Sequence, residues 1–259
     1  MGGKNKVTRG KFDMTNELVA AINQHIVEHP LDLFHIPTIR RMITGVRAKS
    51  VDPESFEIFE NYDSGVIEHT VEYNRDQLLE FAALERPRLL INPLTSIHYI
   101  NENIDELKIL CVGPRTESEI FMLLAAGFKP DNVHGLDLIS YSDYVDVGDM
   151  HDMPYEDDSF DIVFLGWVIG YSKECQKIAD ETIRVTKPGG YVAVGVEREP
   201  PMKVSEPLHG VTLDGTDFET TNEILALFDG HVHSVPFRHD VHRKMQDKMC
   251  HLMVIAELN

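Results

Sequence analysis

The residues with the most chemistry to offer lie in four short runs. The first, Ile109-Leu110-Cys111-Val112-Gly113, carries an apolar strand into a glycine, and Pro114, Arg115 and Thr116 then lead to Glu117-Ser118-Glu119-Ile120. Thr116 followed three residues later by Glu119 reads as a capping box, which fixes a helix start. The unpaired N–H groups of such a first turn form an anion site, suited to a phosphate or a carboxylate. In the second run, Gly135-Leu136-Asp137-Leu138, an acidic residue ends a strand about twenty positions beyond the loop, where a carboxylate can hold ribose hydroxyls. The third run extends from Gly148-Asp149-Met150 through Pro154 to Ser159-Phe160-Asp161, an acidic residue after a strand followed by an acidic loop. The fourth is Arg184-Val185-Thr186-Lys187-Pro188-Gly189-Gly190. Taken alone, the first run says only that a ligand sits at the first strand–helix turn. A dinucleotide site and a plain capped helix fit it as well.

These runs need a scaffold that lines up strand ends. From about residue 105, short apolar runs alternate with helical stretches, the signature of an α/β domain with a mainly parallel sheet. Strands are predicted at 108–112, 132–137, 144–147, 160–167, 190–196, 231–237 and 249–257, and helices at 117–126, 175–185 and 221–228. No helix separates the last two strands, only a polar basic link from Arg238 to Lys248, so a β-hairpin ends the sheet. Residues 1–104 read as a mostly helical cap. Leu18, Val19, Ile22, Ile26 and Val27 form a helical stripe over 15–29, stopped by Pro30, and a second helix is predicted over 74–84.

The chain has 259 residues, of which 42% are hydrophobic and 26% charged, with a formal net charge of −19. Such acidity repels polyanions and disfavours a sequence-independent grip on nucleic acid or an anionic membrane. The charge is uneven: residues 1–50 hold eight Lys and Arg, including Arg40, Arg41, Arg47 and Lys49, against four acidic residues. Simple docking of that segment onto the acidic remainder is the preferred reading, with an acidic substrate as the alternative. Three scattered cysteines, no secretory signal and no bilayer-length apolar run suit a reducing cytoplasm.

Strand–Gly–loop–helix, G-x-D, G-D-x-x-x-x-P-x-x-D-x-S-F-D and R-V-x-K-P-G-G, in that order, resemble the class I S-adenosylmethionine-dependent methyltransferases, and within them the branch acting on small molecules. The resemblance covers residues 105–259, including the terminal hairpin. It implies a Rossmann-like, doubly wound, mainly parallel seven-stranded sheet, S-adenosylmethionine as cofactor with S-adenosylhomocysteine as product, and a small-molecule methyl acceptor. Carried over by position, Gly113, Pro114 and Arg115 would line the methionine moiety and Asp137 would accept from the ribose hydroxyls. Leu138 would pack beside the adenine, Asp149 would accept from its amino group, and Met150 would meet the ring through its backbone. Trp167 would stand where the fourth strand meets cofactor and acceptor. The family's acidic-x-G-x-G-x-G loop is here reduced to one glycine, with Cys111, Arg115 and Glu117 at the other places. Side chains there stand where backbone would approach the ligand.

Methyl transfer from a sulfonium is an in-line displacement in which the protein supplies alignment and excludes water, so no catalytic side chain is demanded. Candidate bases are Tyr171, Glu197 and His209, with His98 and Tyr99 from the cap. His231, His233, His239 and His242 lack a complete metal-ligand spacing and read as solvated hairpin residues, so no metal is expected. A nicotinamide dehydrogenase is disfavoured, since no Tyr has Lys four residues later, as the short-chain type requires, and the loop lacks G-x-x-x-G-x-G. The rival to an enzyme is a methyltransferase-like binding or regulatory protein with a degenerate loop. The oligomeric state is open, with a homodimer among the options.

Overall fold

Apolar strands that are covered on both faces assemble into one sheet in the computed structural model, which describes residues 14–52, 54, 56–59, 86–114, 116–198, 200 and 215–259. In chain order the strands are β1 (Glu57–Ile58), β2 (Ile109–Val112), β3 (Val133–Asp137), β4 (Ile139–Ser140), β5 (Val145–Val147), β6 (Phe160–Gly166), β7 (Thr186–Arg198), β8 (Val232–His239) and β9 (Cys250–Leu258). The helices are α1 (Asn16–Glu28), α2 (Pro37–Ser50), α3 (Arg88–Thr95), α4 (His98–Asn103), α5 (Glu117–Ala126), α6 (Cys175–Val185) and α7 (Thr221–Ala226). Seven strands form the main sheet in the order β5-β3-β2-β6-β7-β9-β8. The first five are parallel, and β9 runs antiparallel between β7 and β8. The fold is thus the Rossmann-like α/β arrangement with a terminal hairpin that the pattern implies. The helix predicted over 74–84 lies outside the described residues.

Side chains alternate between two cores, following the two-residue period of a strand. Ile109, Cys111, Ile162 and Phe164 face one side with α3, α4 and α5. Leu110, Val112, Val163 and Leu165 face the other with α6 and α7. Both faces are dry, which is why these strands read as continuous apolar runs. Each such side chain, Phe164 for example at 0% exposure, contributes about 1.5–3 kcal/mol through burial.

Helix α5 is covered on two sides. Residues Glu117 to Leu124 are all buried, because the sheet lies beneath and the N-terminal segment above. A helix buried all round carries no amphipathic stripe. Phe34, in the 3-10 turn Pro30–His35, stacks on Phe121 with centroids 4.3 Å apart. Helix α2 went unpredicted. Its buried face is Arg40, Thr44, Gly45 and Ala48, a helical spacing with little apolar content. Arg40 donates to the Phe34 carbonyl and from Nε to Ser118 Oγ at 3.4 Å. Arg47 forms a two-pronged pair with Glu117, at 2.7 and 2.9 Å. The basic residues of the first fifty therefore include two that dock the segment onto α5.

Glu117 is closed off from solvent, with Ser142 Oγ donating to it at 2.6 Å, while the Arg47 side chain is 52% exposed. Arg47→Ala strands a buried carboxylate with the Ser142 hydroxyl as its remaining side-chain partner among the described residues. It should lower the unfolding free energy by about 1–3 kcal/mol, less than a fully buried break because water screens the arginine. Chemical denaturation measures this, and replacing Glu117 by Leu in the same background should recover part of the loss. An unchanged midpoint would refute the docking account.

A parallel crossover usually needs a helix, yet residues 138–144 join β3 to β5 with only the short β4. Strand β1 pairs antiparallel with β4, and the Phe59 N–H donates to the Leu138 carbonyl at 2.9 Å. Phe56 meets the Tyr141 ring edge-on. The N-terminal segment thus borders the strand end that carries Asp137.

Candidate functional site

Register places the singled-out residues along one line at the carboxyl ends of the parallel strands. Val112 lies beside Leu136 and beside Leu165, and Asp137 beside Val147. Gly113 is therefore level with Asp137 and Gly166, with Asp149 two residues past β5. The chain order reverses between β2 and β6, and in open α/β sheets ligands bind at the carboxyl ends beside such a switch point.

Gly113 has φ of +68° and donates its N–H to the Leu136 carbonyl at 2.8 Å. A Cβ at this position would come within 2.5 Å of Val168 Cγ2, so only glycine lets the β2 loop and the β6 loop approach this closely. Pro114 packs over Gly135, and Arg115 lies outside the described residues. Thr116 caps α5, but its hydroxyl accepts from the Ser118 N–H at 3.2 Å rather than from that of Glu119, so the expected box geometry is not adopted on that side. Glu117, which stands where the family's loop has a glycine, is spent on Arg47 and Ser142. Cys111 is buried at 1% exposure; burial, and then the charges of Glu119 and Asp137, push its thiol well above the usual range.

Asp137 is 7% exposed at the end of β3, and its carbonyl accepts the Gly148 N–H at 2.9 Å. Leu138 is half-buried, and Met150 packs partly against the second core. Asp149 Oδ1 accepts from the backbone N–H of His151 at 2.9 Å and lies 2.5 Å from His151 Nδ1. His151 Nε2 lies 2.6 Å from Ser172 Oγ, which in turn accepts the Glu174 N–H at 2.9 Å. Burial raises the Asp149 pKa, but the two hydrogen bonds from His151, with its charge and that of Lys177, outweigh it and hold the carboxyl below its ordinary range. Neither His151 nor Ser172 was singled out in the sequence; the i, i+2 spacing from Asp149 was the available signal for the first.

The third and fourth runs turn out to be one clamp. Arg184 donates to the carbonyls of Tyr155 and Met153 at 2.7 and 3.0 Å and to Asp157 at 2.9 Å. Lys187 holds both oxygens of Asp161 at 2.9 Å. Met153 N–H is taken by Glu181, itself paired to Arg184. The loop after Asp149 is thereby tied to the end of α6 and the start of β7, which explains why the two patterns occur together.

Trp167 follows β6 with φ of +63°, a conformation that costs a non-glycine residue about 1–2 kcal/mol. Its ring lies against Gly195, carries the Arg86 guanidinium at 4.9 Å, and donates Nε1–H to His251 Nδ1 at 3.1 Å. Arg86 also pairs with Glu197 at 2.6 Å. Burial holds His251 below its ordinary pKa; Glu197 opposes this, and the charges of Arg86 and His239 add to it. The indole is thus committed to a cluster that sequence spacing did not reveal, its members coming from four separate segments.

The candidate bases separate. Glu197 lies near the carboxyl end of β7, and Tyr171 ends the 3-10 turn Ile169–Tyr171 that follows β6. His98 and Tyr99 do not join them. Tyr99 packs near Tyr191, whose parallel partner is Ile162 near the amino end of β6, the opposite side of the sheet from Gly166 and Gly195. His209 lies outside the described residues. Among the described residues, no three His, Cys, Asp or Glu side chains group to hold a metal ion, and no helix is long and apolar enough to cross a membrane.

Residues 111–194 match a sequence family described as a methyltransferase domain. Among solved structures, the chain is similar to one from a complex between the Haloferax volcanii Trm112 methyltransferase activator and a putative methyltransferase. The identity is 17%, over 74% of this chain and 97% of that one, with a TM-score of 0.53. A Pyrococcus horikoshii protein is 17% identical over 68% of this chain and 92% of its own, with a TM-score of 0.49. A Burkholderia thailandensis 1,6-didemethyltoxoflavin-N1-methyltransferase, solved with that compound and S-adenosylhomocysteine, is 11% identical over 79% of this chain and 95% of its own, with a TM-score of 0.49. No curated protein sequence matches the chain.

Proposed function

We propose that this chain, a class I S-adenosylmethionine-dependent methyltransferase by the domain it carries over residues 111–194, moves the cofactor's methyl group to an oxygen or nitrogen of a small-molecule acceptor. The observation that carries the reading is the alignment of Gly113, Asp137 and Asp149 at adjacent carboxyl strand ends beside the switch point. The residues fit the cofactor: a glycine at φ +68° that turns the chain directly after β2, and two carboxylates for hydroxyl and amino donors. When bound, the cofactor supplies an activated methyl on a sulfonium.

In this reading Gly113 and Pro114 lie along the methionine part, and Arg115 is a third candidate for it by its place in the sequence. Asp137 accepts from the ribose hydroxyls, Leu138 and Met150 flank the adenine, and Asp149 accepts from its amino group. The strand-end turn at Trp167 and Val168 closes the site on the acceptor side, where Tyr171 and Glu197 are the candidate bases. Residues 105–259 form the cofactor-binding domain, and 1–104 the substrate-side region. The acidic surface favours a small acceptor over nucleic acid.

The burial of Glu117 against Arg47 removes one reason for suspecting a degenerate, non-catalytic loop. Incubation of the protein with methyl-labelled S-adenosylmethionine and a cell extract tests the acceptor class. Label recovered in the low-molecular-weight fraction is expected. Label confined to protein or RNA would overturn the small-molecule reading, and none in any fraction would favour a binding or regulatory role.

A further inference from the structure

Asp149 has two carboxylate oxygens, and they differ. Oδ1 takes the His151 backbone N–H at 2.9 Å and stands 2.5 Å from Nδ1 of the same residue. Among the described residues, nothing donates to Oδ2. An ionised carboxylate accepts only, so Nδ1 must carry its hydrogen. Nε2 then meets the Ser172 hydroxyl at 2.6 Å, accepting from it when the ring is neutral and donating to it when the ring is charged. Ser172 Oγ receives the Glu174 N–H at 2.9 Å, and the Ser172 carbonyl receives the Thr216 hydroxyl at 2.7 Å. Every member of this chain has a partner except Oδ2. Asp149 and His151 are 22% and 14% exposed at the side chain, and Ser172 is buried, so the chain is shielded from competing water.

We propose that His151, locked by Ser172, is a positioning residue that fixes the Asp149 carboxylate with Oδ2 alone open, and that it thereby sets the site's preference for a 6-aminopurine. The inference rests on the proposed function, in which Asp149 meets the adenine amino group. A carboxylate tied at one oxygen has its rotor frozen before the ligand arrives, so the hydrogen bond to the amino group costs less ordering on binding. With the side-chain tie gone and only the backbone N–H of residue 151 left on Oδ1, the carboxylate is freer to turn toward water or toward the Asp152 backbone, whose N–H already meets the Asp149 carbonyl at 3.1 Å.

The test compares S-adenosylhomocysteine with its analogue lacking the 6-amino group, by calorimetry on the full chain. The wild type should prefer the amino ligand by about tenfold or more. His151→Ala should shrink that preference to about twofold to threefold. His151→Asn, whose amide can still donate to Oδ1, should keep most of it, and Ser172→Ala should fall between. A merely structural role for His151 would weaken both ligands equally and leave their ratio intact; an unchanged ratio in folded His151→Ala or Ser172→Ala overturns the proposal. Tight binding of both ligands by the wild type, without preference, also overturns it. Failure of the wild type to bind either ligand would instead defeat the reading of the site as a cofactor site.

Discussion

Gly113→Ala is expected to cost about 2–5 kcal/mol of stability and to abolish cofactor binding at micromolar ligand. Two independent penalties add. The backbone sits at φ +68°, where an L side chain costs about 1–2 kcal/mol. The new methyl would also stand 2.5 Å from Val168 Cγ2 and 2.9 Å from Val168 Cβ, an overlap of the kind that costs about 1–3 kcal/mol. Relief of the clash would push the β2 and β6 loops apart at the switch point, where the ligand must lie. The two penalties can be separated. Val168→Ala in the Gly113→Ala background removes the Cγ contacts and leaves both the φ penalty and the Cβ contact, so about half of the loss should return. Denaturation midpoints of the two single variants and the double variant measure this. Full rescue by Val168→Ala would mean that backbone conformation contributes nothing.

Asp137→Ala is expected to leave the fold intact and weaken S-adenosylhomocysteine binding by about 1–3 kcal/mol, or roughly tenfold to a hundredfold, the scale of hydrogen bonds to a charged acceptor. The separation of stability from affinity follows from position. Asp137 is the last residue of β3, and its ladder contact, the carbonyl that takes the Gly148 N–H at 2.9 Å, belongs to the backbone and survives the substitution. Asp137→Asn keeps the shape and loses the charge, and should fall between. A melting temperature near that of the wild type, with the affinity reduced, is the expected pair of results.

The seven strands of the main sheet, and helices α5 and α6, were legible because their signals are local. A glycine after an apolar run, a threonine cap and a period of two or 3.6 residues each fix a boundary within a few positions. Helix α2 was not, since its buried face of Arg40, Thr44, Gly45 and Ala48 becomes a packing face only once Glu117 and Ser118 stand opposite it. Helix α1 shows the converse. Its apolar stripe predicted the helix, yet none of its residues is buried. At the site, Gly113, Asp137 and Asp149 could be read from strand ends, whereas the Trp167–His251–Arg86–Glu197 cluster joins residues more than fifty positions apart in most of its pairs and leaves no local trace. His98 and Tyr99 were drawn to the site by residue type alone. Helix packing carried them to the other end of the sheet.

The account stands on Asp137 and Asp149 holding an adenosyl group at the carboxyl ends of β3 and β5. A calorimetric titration of the folded protein with S-adenosylhomocysteine tests this most directly, with Asp137→Ala titrated alongside. Saturable one-to-one binding, weakened about tenfold or more in the variant, is the predicted result. Absence of binding to pure, folded wild-type protein, or equal affinity in wild type and variant, would contradict it.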